Sequence, residues 1–138
     1  MHQPTGRWVI AGFLALCLLC CDTQLGTMVS AADDTKTVKL IVDYGDGVEK
    51  HFSQLKCQDK TTVFDLMQQA AQHRRGIRFE HRGKGATVLL TQIDDVKNQD
   101  GPGRNWIYRV NDKLGDRSIG IHELKPGDTV LWKFETYQ

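Results

Sequence analysis

Apolar residues fall on every second position in several stretches of this sequence, and on a three-and-four spacing in one. From Thr37 to Tyr44 the run Val38, Leu40, Val42, Tyr44 alternates with Lys39, Ile41 and Asp43. A strand sends successive side chains to opposite faces, so the pattern predicts a half-buried strand. Gly45-Asp46-Gly47 is a turn signal, and Val48 to Lys56 is expected to return as the second strand of a hairpin. Near the other end, Trp106, Tyr108 and Val110 share one side of a predicted strand, with Arg109 opposite. Thr129 to Glu135 repeats this, placing Val130, Trp132 and Phe134 against Leu131, Lys133 and Glu135. Asn111-Asp112 tolerates left-handed backbone and suits a hairpin, while Pro126-Gly127 suits the centre of a type II turn.

The three-and-four spacing belongs to Val63, Leu66, Met67, Ala70 and Ala71, which line one face of a helix predicted over Thr62 to Arg75. Thr62 can cap its first amides, and Asp65 lies in its positive first turn. Arg74-Arg75-Gly76 reads as its stop, with Gly76 as the left-handed cap. Ile77 to His81 alternates weakly, Gly83-Lys84-Gly85 turns, and Ala86 to Ile93 is β-rich. Asp94 to Arg104 has no apolar period and reads as a surface loop. The expected order is β-β-α-β-β-loop-β-β. One helix covers one face, so the fold class is α+β, a single mixed sheet with the helix packed on one side.

The N-terminus changes how much of the chain enters that fold. A start carrying Arg7, an unbroken apolar or small run from Trp8 to Cys21, and the small residues Ser30-Ala31-Ala32 have the form of a secretory signal peptide over residues 1–32. The apolar run is shorter than the roughly 20 residues a spanning helix needs, so no transmembrane helix is expected in the mature chain, residues 33–138. A lipid anchor is the less favoured alternative. It wants a small residue before the modified cysteine, whereas Leu16, Leu19 and Cys20 precede Cys17, Cys20 and Cys21. The expected location is the periplasm or the cell exterior.

Cleavage there leaves Cys57 alone, which excludes an internal disulfide, a cysteine-ligated cluster and a Cys₄ zinc site. It removes one charge of each sign, Arg7 and Asp22, so the formal net charge stays at +1. Such a balance argues against a nucleic-acid partner. His51, His73, His81 and His122 lack the His-x-His or His-x-x-x-His spacing of metal ligands, and no cofactor is implied. No Ser-His-Asp set, nucleophile elbow or paired acid–base carboxylates stands out, so an enzyme is not expected.

Three features could carry binding. Trp106, Tyr108 and Trp132 could form an aromatic platform for a planar or sugar-like ligand; their place on the apolar strand faces favours a core instead. The loop Asn98 to Asn105, with Arg104 and Asn105 at its end, is rich in hydrogen-bonding groups, and Asn111 lies in the neighbouring turn. Its Gly101-Pro102-Gly103 lacks the strand-loop-helix setting and the Lys-Ser/Thr of a phosphate loop. Finally, His73, Arg74, Arg75, Arg78, His81, Arg82 and Lys84 concentrate positive charge, relieved only by Glu80. That stretch is either a patch for an anionic partner or a helix end followed by a charged edge strand, the second being favoured.

Three segments, Thr62-Val63-Phe64-Asp65-Leu66-Met67, Trp106-Ile107-Tyr108-Arg109-Val110-Asn111 and Leu124-Lys125-Pro126-Gly127-Asp128-Thr129-Val130-Leu131-Trp132, resemble the family of the transcobalamin C-terminal domain. The resemblance spans nearly all of the mature chain and implies a β-grasp fold over residues 33–138. The family's usual Gly after the strand Asn is Asp112 here. Vitamin B12 carriers of this kind also hold the corrinoid against a large helical domain, for which this sequence has no counterpart. The resemblance therefore implies a non-enzymatic binding module for a cobalamin-like or sugar-like small molecule. The alternative is a protein-interaction or assembly module of a secreted or surface complex. The candidate ligand-binding residues, taken from the aromatic set, the polar loop and the turn beside it, are Trp106, Tyr108, Asn105, Arg104 and Asn111.

Overall fold

A computed structural model describes residues 36–138, so the proposed signal peptide over residues 1–32 lies outside the described residues. The chain folds as strands β1 (Thr37–Asp43) and β2 (Glu49–Lys56), helix α1 (Val63–Gln72), and strands β3 (Phe79–Arg82), β4 (Leu89–Ile93), β5 (Val96–Lys97), β6 (Arg104–Val110), β7 (Lys113–Leu114) and β8 (Thr129–Thr136). A short 3₁₀ turn, Gly85–Thr87, precedes β4. The expected α+β, β-grasp-like class is what the elements form, with one helix and the strands in mixed pairing.

The principal sheet has the order β2-β1-β8-β6-β7. β1 runs parallel to β8, from Lys39 opposite Thr129 to Asp43 opposite Lys133, and the other pairs are antiparallel. Between β6 and β8 the register sets Trp106 opposite Phe134, Tyr108 opposite Trp132 and Val110 opposite Val130. The alternation read from the sequence is thus one continuous aromatic face. The opposite face is a ladder of charge, where Arg109 meets Glu135 at 2.5 Å and Lys133 meets Asp43 at 3.5 Å.

The single sheet expected from the sequence is not what forms. β3, β4 and β5 make a second, three-stranded sheet of their own. Ile77, Val88, Leu90 and Ile93 beside or within it are buried with the aromatic face and the helix in one core. The segment expected to be all loop from Asp94 begins with Asp94 at φ 50° and then gives β5, two residues that pair back onto β4. β4 is therefore spent on partners of its own and has no edge left for the principal sheet.

The helix begins as predicted and stops early. The Thr62 hydroxyl accepts from the Asp65 amide at 3.2 Å and the Asp65 carboxylate accepts from the Thr62 amide at 2.9 Å, a reciprocal cap. Two further amides of the first turn, those of Val63 and Phe64, donate to the carbonyls of His122 and Ile119 at 3.0 Å. Val63, Leu66, Met67 and Ala70 are buried. His73 turns extended, so Arg74 and Arg75 lie beyond the helix end instead of in its last turn. Gly76 is not a left-handed cap either. The chain crosses so close to the helix end there that a Cβ would sit 2.2 Å from the Ala70 carbonyl oxygen.

The two turn readings hold. Asn111 and Asp112 take φ 49° and 66° between β6 and β7, and Gly127 takes φ 90° with the Asp128 amide bonded to the Lys125 carbonyl at 3.1 Å. No helix among the described residues is long and apolar enough to cross a membrane.

Candidate functional site

The aromatic face is covered by two segments that do not belong to the principal sheet, and a cleft of about 440 Å³ opens between them. One wall is Ala86 to Leu90, the other Gly115 to Ile119, and Trp106, Tyr108 and Trp132 line it as well. The walls are fastened together. The Ser118 hydroxyl reaches the Val88 carbonyl at 2.8 Å and the Gly85 carbonyl at 3.2 Å. A Cβ on Gly120 would fall 2.1 Å from the same Gly85 oxygen, so only glycine permits this approach. The second wall is held at its far end by the helix, whose first amides bind Ile119 and His122.

Each aromatic ring has a different polar account. The Trp106 indole N–H donates to the Val96 carbonyl at 2.8 Å, joining the two sheets. The Tyr108 hydroxyl donates to the Arg117 carbonyl. Its remaining contact, His122 Nδ1 at 3.0 Å, must then supply the proton, which fixes the imidazole tautomer. Burial pushes the Tyr108 phenol up from its ordinary value. Gly115 lies flat against that ring, because a Cβ there would be 2.0 Å from Tyr108 Cζ. Trp132 stacks tilted against Tyr108 at 5.2 Å and is 2% exposed. Its indole N–H is buried and has no hydrogen-bond partner among the described residues. At the rim Arg117 grips Asp116 through two bonds of 2.8 and 2.9 Å, and this hydrogen bonding holds the Asp116 carboxyl at about 2.

The five residues singled out from the sequence are not brought together. Only Trp106 and Tyr108 share the cleft, and both are more than nine-tenths buried. Arg104 holds the first hairpin to β8, donating to the Gly45 and Phe134 carbonyls at 3.0 and 2.9 Å with its guanidinium over the Phe134 ring. Asn105 closes its own loop, accepting from the Asp100 amide and donating to the Gly103 carbonyl at 3.0 Å each. Asn111 accepts from the Thr129 amide at 2.9 Å and donates to Asp128 at 2.8 Å, pinning the hairpin to β8. The walls of the cleft were not visible as a site in the sequence. Apart from the Asp116–Arg117 pair at the rim, their residues are mostly small or aliphatic and carry no motif, and they come together across about thirty positions of sequence. The aromatic floor of Trp106, Tyr108 and Trp132 did stand out, as the aromatic set.

A second cluster lies where the sheets meet. The Asp94 carboxylate accepts from the Tyr44 hydroxyl, from Lys50 at 2.9 Å and from the Arg78 amide at 2.9 Å. Burial works against the charged form, yet these donors outweigh it and hold the carboxyl below its usual range. Burial first, and the bond to Asp94 second, push the Tyr44 phenol up. Cys57, 3% exposed, has its thiol raised by burial and is an inert packing group. Among the described residues no three His, Cys, Asp or Glu side chains converge as metal ligands would.

A family model described as a domain of unknown function, DUF4430, matches residues 60–136, from just before α1 through β8. The chain belongs to the DUF4430 family. No curated protein matches it. Among solved structures, this DUF4430 chain is similar to a candidate metal-binding protein from Ruminococcus gnavus ATCC 29149, at 14% identity and a TM-score of 0.54. The similarity covers 73% of this chain and 97% of the other, and at that identity it establishes a common fold.

Proposed function

We propose that this DUF4430 chain is an exported, non-enzymatic binding module of the transcobalamin C-terminal type. Its ligand is a small molecule, cobalamin-like or sugar-like, taken into the cleft over Trp106, Tyr108 and Trp132. The observation that carries the reading is the buried Trp132 N–H without a partner beside that cleft. An unmatched buried donor costs about 1–3 kcal/mol, and folded proteins rarely keep one without a use. Aromatic floors with a few oriented polar groups are the usual make-up of small-molecule sites. Export rests on the charged, apolar and small-residue sequence of residues 1–32. The metal-binding description of the Ruminococcus gnavus protein is not carried over, since the described residues bring no ligand set together.

The test is a thermal-shift screen of the mature protein against corrinoids and neutral sugars, repeated with Trp132→Phe. A ligand that binds only the native state raises the melting temperature. The expected result is a rise with at least one class that is reduced when the indole N–H is removed. Silence across the panel, or a shift indifferent to Trp132→Phe, overturns it. A second reading, an assembly module, is favoured by the outer edge of β2, which pairs only with β1. Concentration-dependent mass in solution would support that reading over the first.

A further inference from the structure

Among the described residues, the cations between α1 and β4 have no ion-pair partners. Arg74, Arg75, Arg78, Arg82 and Lys84 are all exposed, and the only carboxylate in that run is Glu80. Among the described residues none of the five lies within ion-pair distance of an acidic side chain; lone lysines elsewhere share this, but nowhere else do five such cations fall within eleven positions. With the whole chain at +1, this short stretch holds an excess of positive charge that the remainder offsets with net negative charge. The explanation from the helix macrodipole does not account for it, because α1 ends at Gln72 and carries no basic residue in its last turn. Protection of an edge strand accounts for charges on β3 itself, but not for Arg74, Arg75, Arg78 and Lys84, which lie outside it.

We infer that this stretch is a docking surface for a linear acidic polysaccharide. The charges are distributed along a turn, the edge strand β3 and a second turn, a spread that suits repeated anions along a polymer better than a single phosphate. The nearby aromatics are occupied. Phe64 packs edge-on against Phe79 at 5.9 Å and His81 at 4.8 Å, and both phenylalanines are half-buried, leaving no open platform for nucleic-acid bases. Nor does the stretch present the broad apolar face that an interfacial lipid anchor uses, since Ile77 is buried, Phe79 half-buried, and the exposed Leu89 opposite Arg82 is a single side chain. The surface is separate from the aromatic cleft, and none of its five cations lines it.

The experiment uses the mature protein with polygalacturonate and dextran sulfate as probes, neutral dextran as control, and phosphatidylserine vesicles as the competing surface, at low and high salt. The triple variant Arg74→Gln, Arg75→Gln, Arg78→Gln removes cations without ion-pair partners, and its unchanged melting temperature shows that folding is intact. The matched triple Lys97→Gln, Lys113→Gln, Lys125→Gln removes equal charge from exposed sites elsewhere. The expected result is binding to both acidic polymers that high salt abolishes. Affinity should fall roughly tenfold in the arginine triple, as expected for three surface contacts of modest strength, and by less than about threefold in the lysine triple. Equal losses in the two triples, no binding to either polymer, or tighter binding to the vesicles through the same arginines would each overturn the proposal.

Discussion

Asp94 offers the sharpest test of how the two sheets are joined. Its carboxylate collects Tyr44 from the end of β1, Lys50 from β2 and the Arg78 amide from the start of the second sheet. Asp94→Asn keeps the size of the side chain and its tolerance for the observed φ of 50°, while it removes the charge and turns the oxygen that Tyr44 and Lys50 share into an NH2 donor. The three donors lose unequally. Tyr44 is 8% exposed, so weakening its bond to an ionised acceptor is costly, on the order of 1.5–3 kcal/mol. Lys50 is 39% exposed and solvent-screened, so its pair contributes below about 1 kcal/mol. The Arg78 amide keeps an oxygen acceptor. A loss of about 2 kcal/mol near neutral pH follows, equivalent to roughly 10 °C in a domain of this size.

The sign of the pH dependence follows from the direction of the shift. The folded-state pKa of Asp94 lies below its unfolded value, so the contribution is present above about pH 4 and is lost as pH falls through the folded value. Urea denaturation of wild type and Asp94→Asn between pH 7 and pH 2.5 should give a stability gap that is wide at pH 7 and narrows below about pH 4. A gap that stays constant across that range, or an Asn variant as stable as wild type at pH 7, would refute the reasoning.

Two further substitutions address the frame of the cleft. Gly115→Ala places a methyl group 2.0 Å from Tyr108 Cζ, so the ring or the wall must move, at a cost of about 1–3 kcal/mol in denaturant unfolding; a neutral result would mean the wall is not seated on the ring. Thr62→Ala deletes the oxygen that accepts from the Asp65 amide and should cost about 1 kcal/mol, with Thr62→Ser restoring most of it; equal losses in both variants would point away from the cap.

Local signals made much of this fold readable from sequence. β1, β6 and β8 were marked by alternation, β2 by the Gly45-Asp46-Gly47 turn before it, α1 by its apolar spacing and Thr62, and the turns at Asn111-Asp112 and Pro126-Gly127 by backbone tolerance. What escaped was set by distant contacts. The division into two sheets depends on β4 pairing with β3 and β5, and β5 is only two residues long, too short for any period. The end of α1 was overestimated because Arg74-Arg75-Gly76 looks like a stop, whereas the chain leaves at His73 and Gly76 is needed for close passage over Ala70. Of the candidate site, the aromatic floor was legible, but Arg104, Asn105 and Asn111 spend their polar groups on neighbouring backbone and side chains. Hydrogen-bonding residues in a loop look alike in sequence whether they serve a ligand or the loop itself.

The parallel pairing of β1 with β8 has a mechanical consequence. The leading end of β1 and the trailing end of β8 point to opposite ends of that ladder, so a tether pulling the two chain ends apart would load its rungs in shear, all at once. Peeling them one by one would require pulling from the same end. A domain wired this way resists stretching along that direction far better than its modest size suggests.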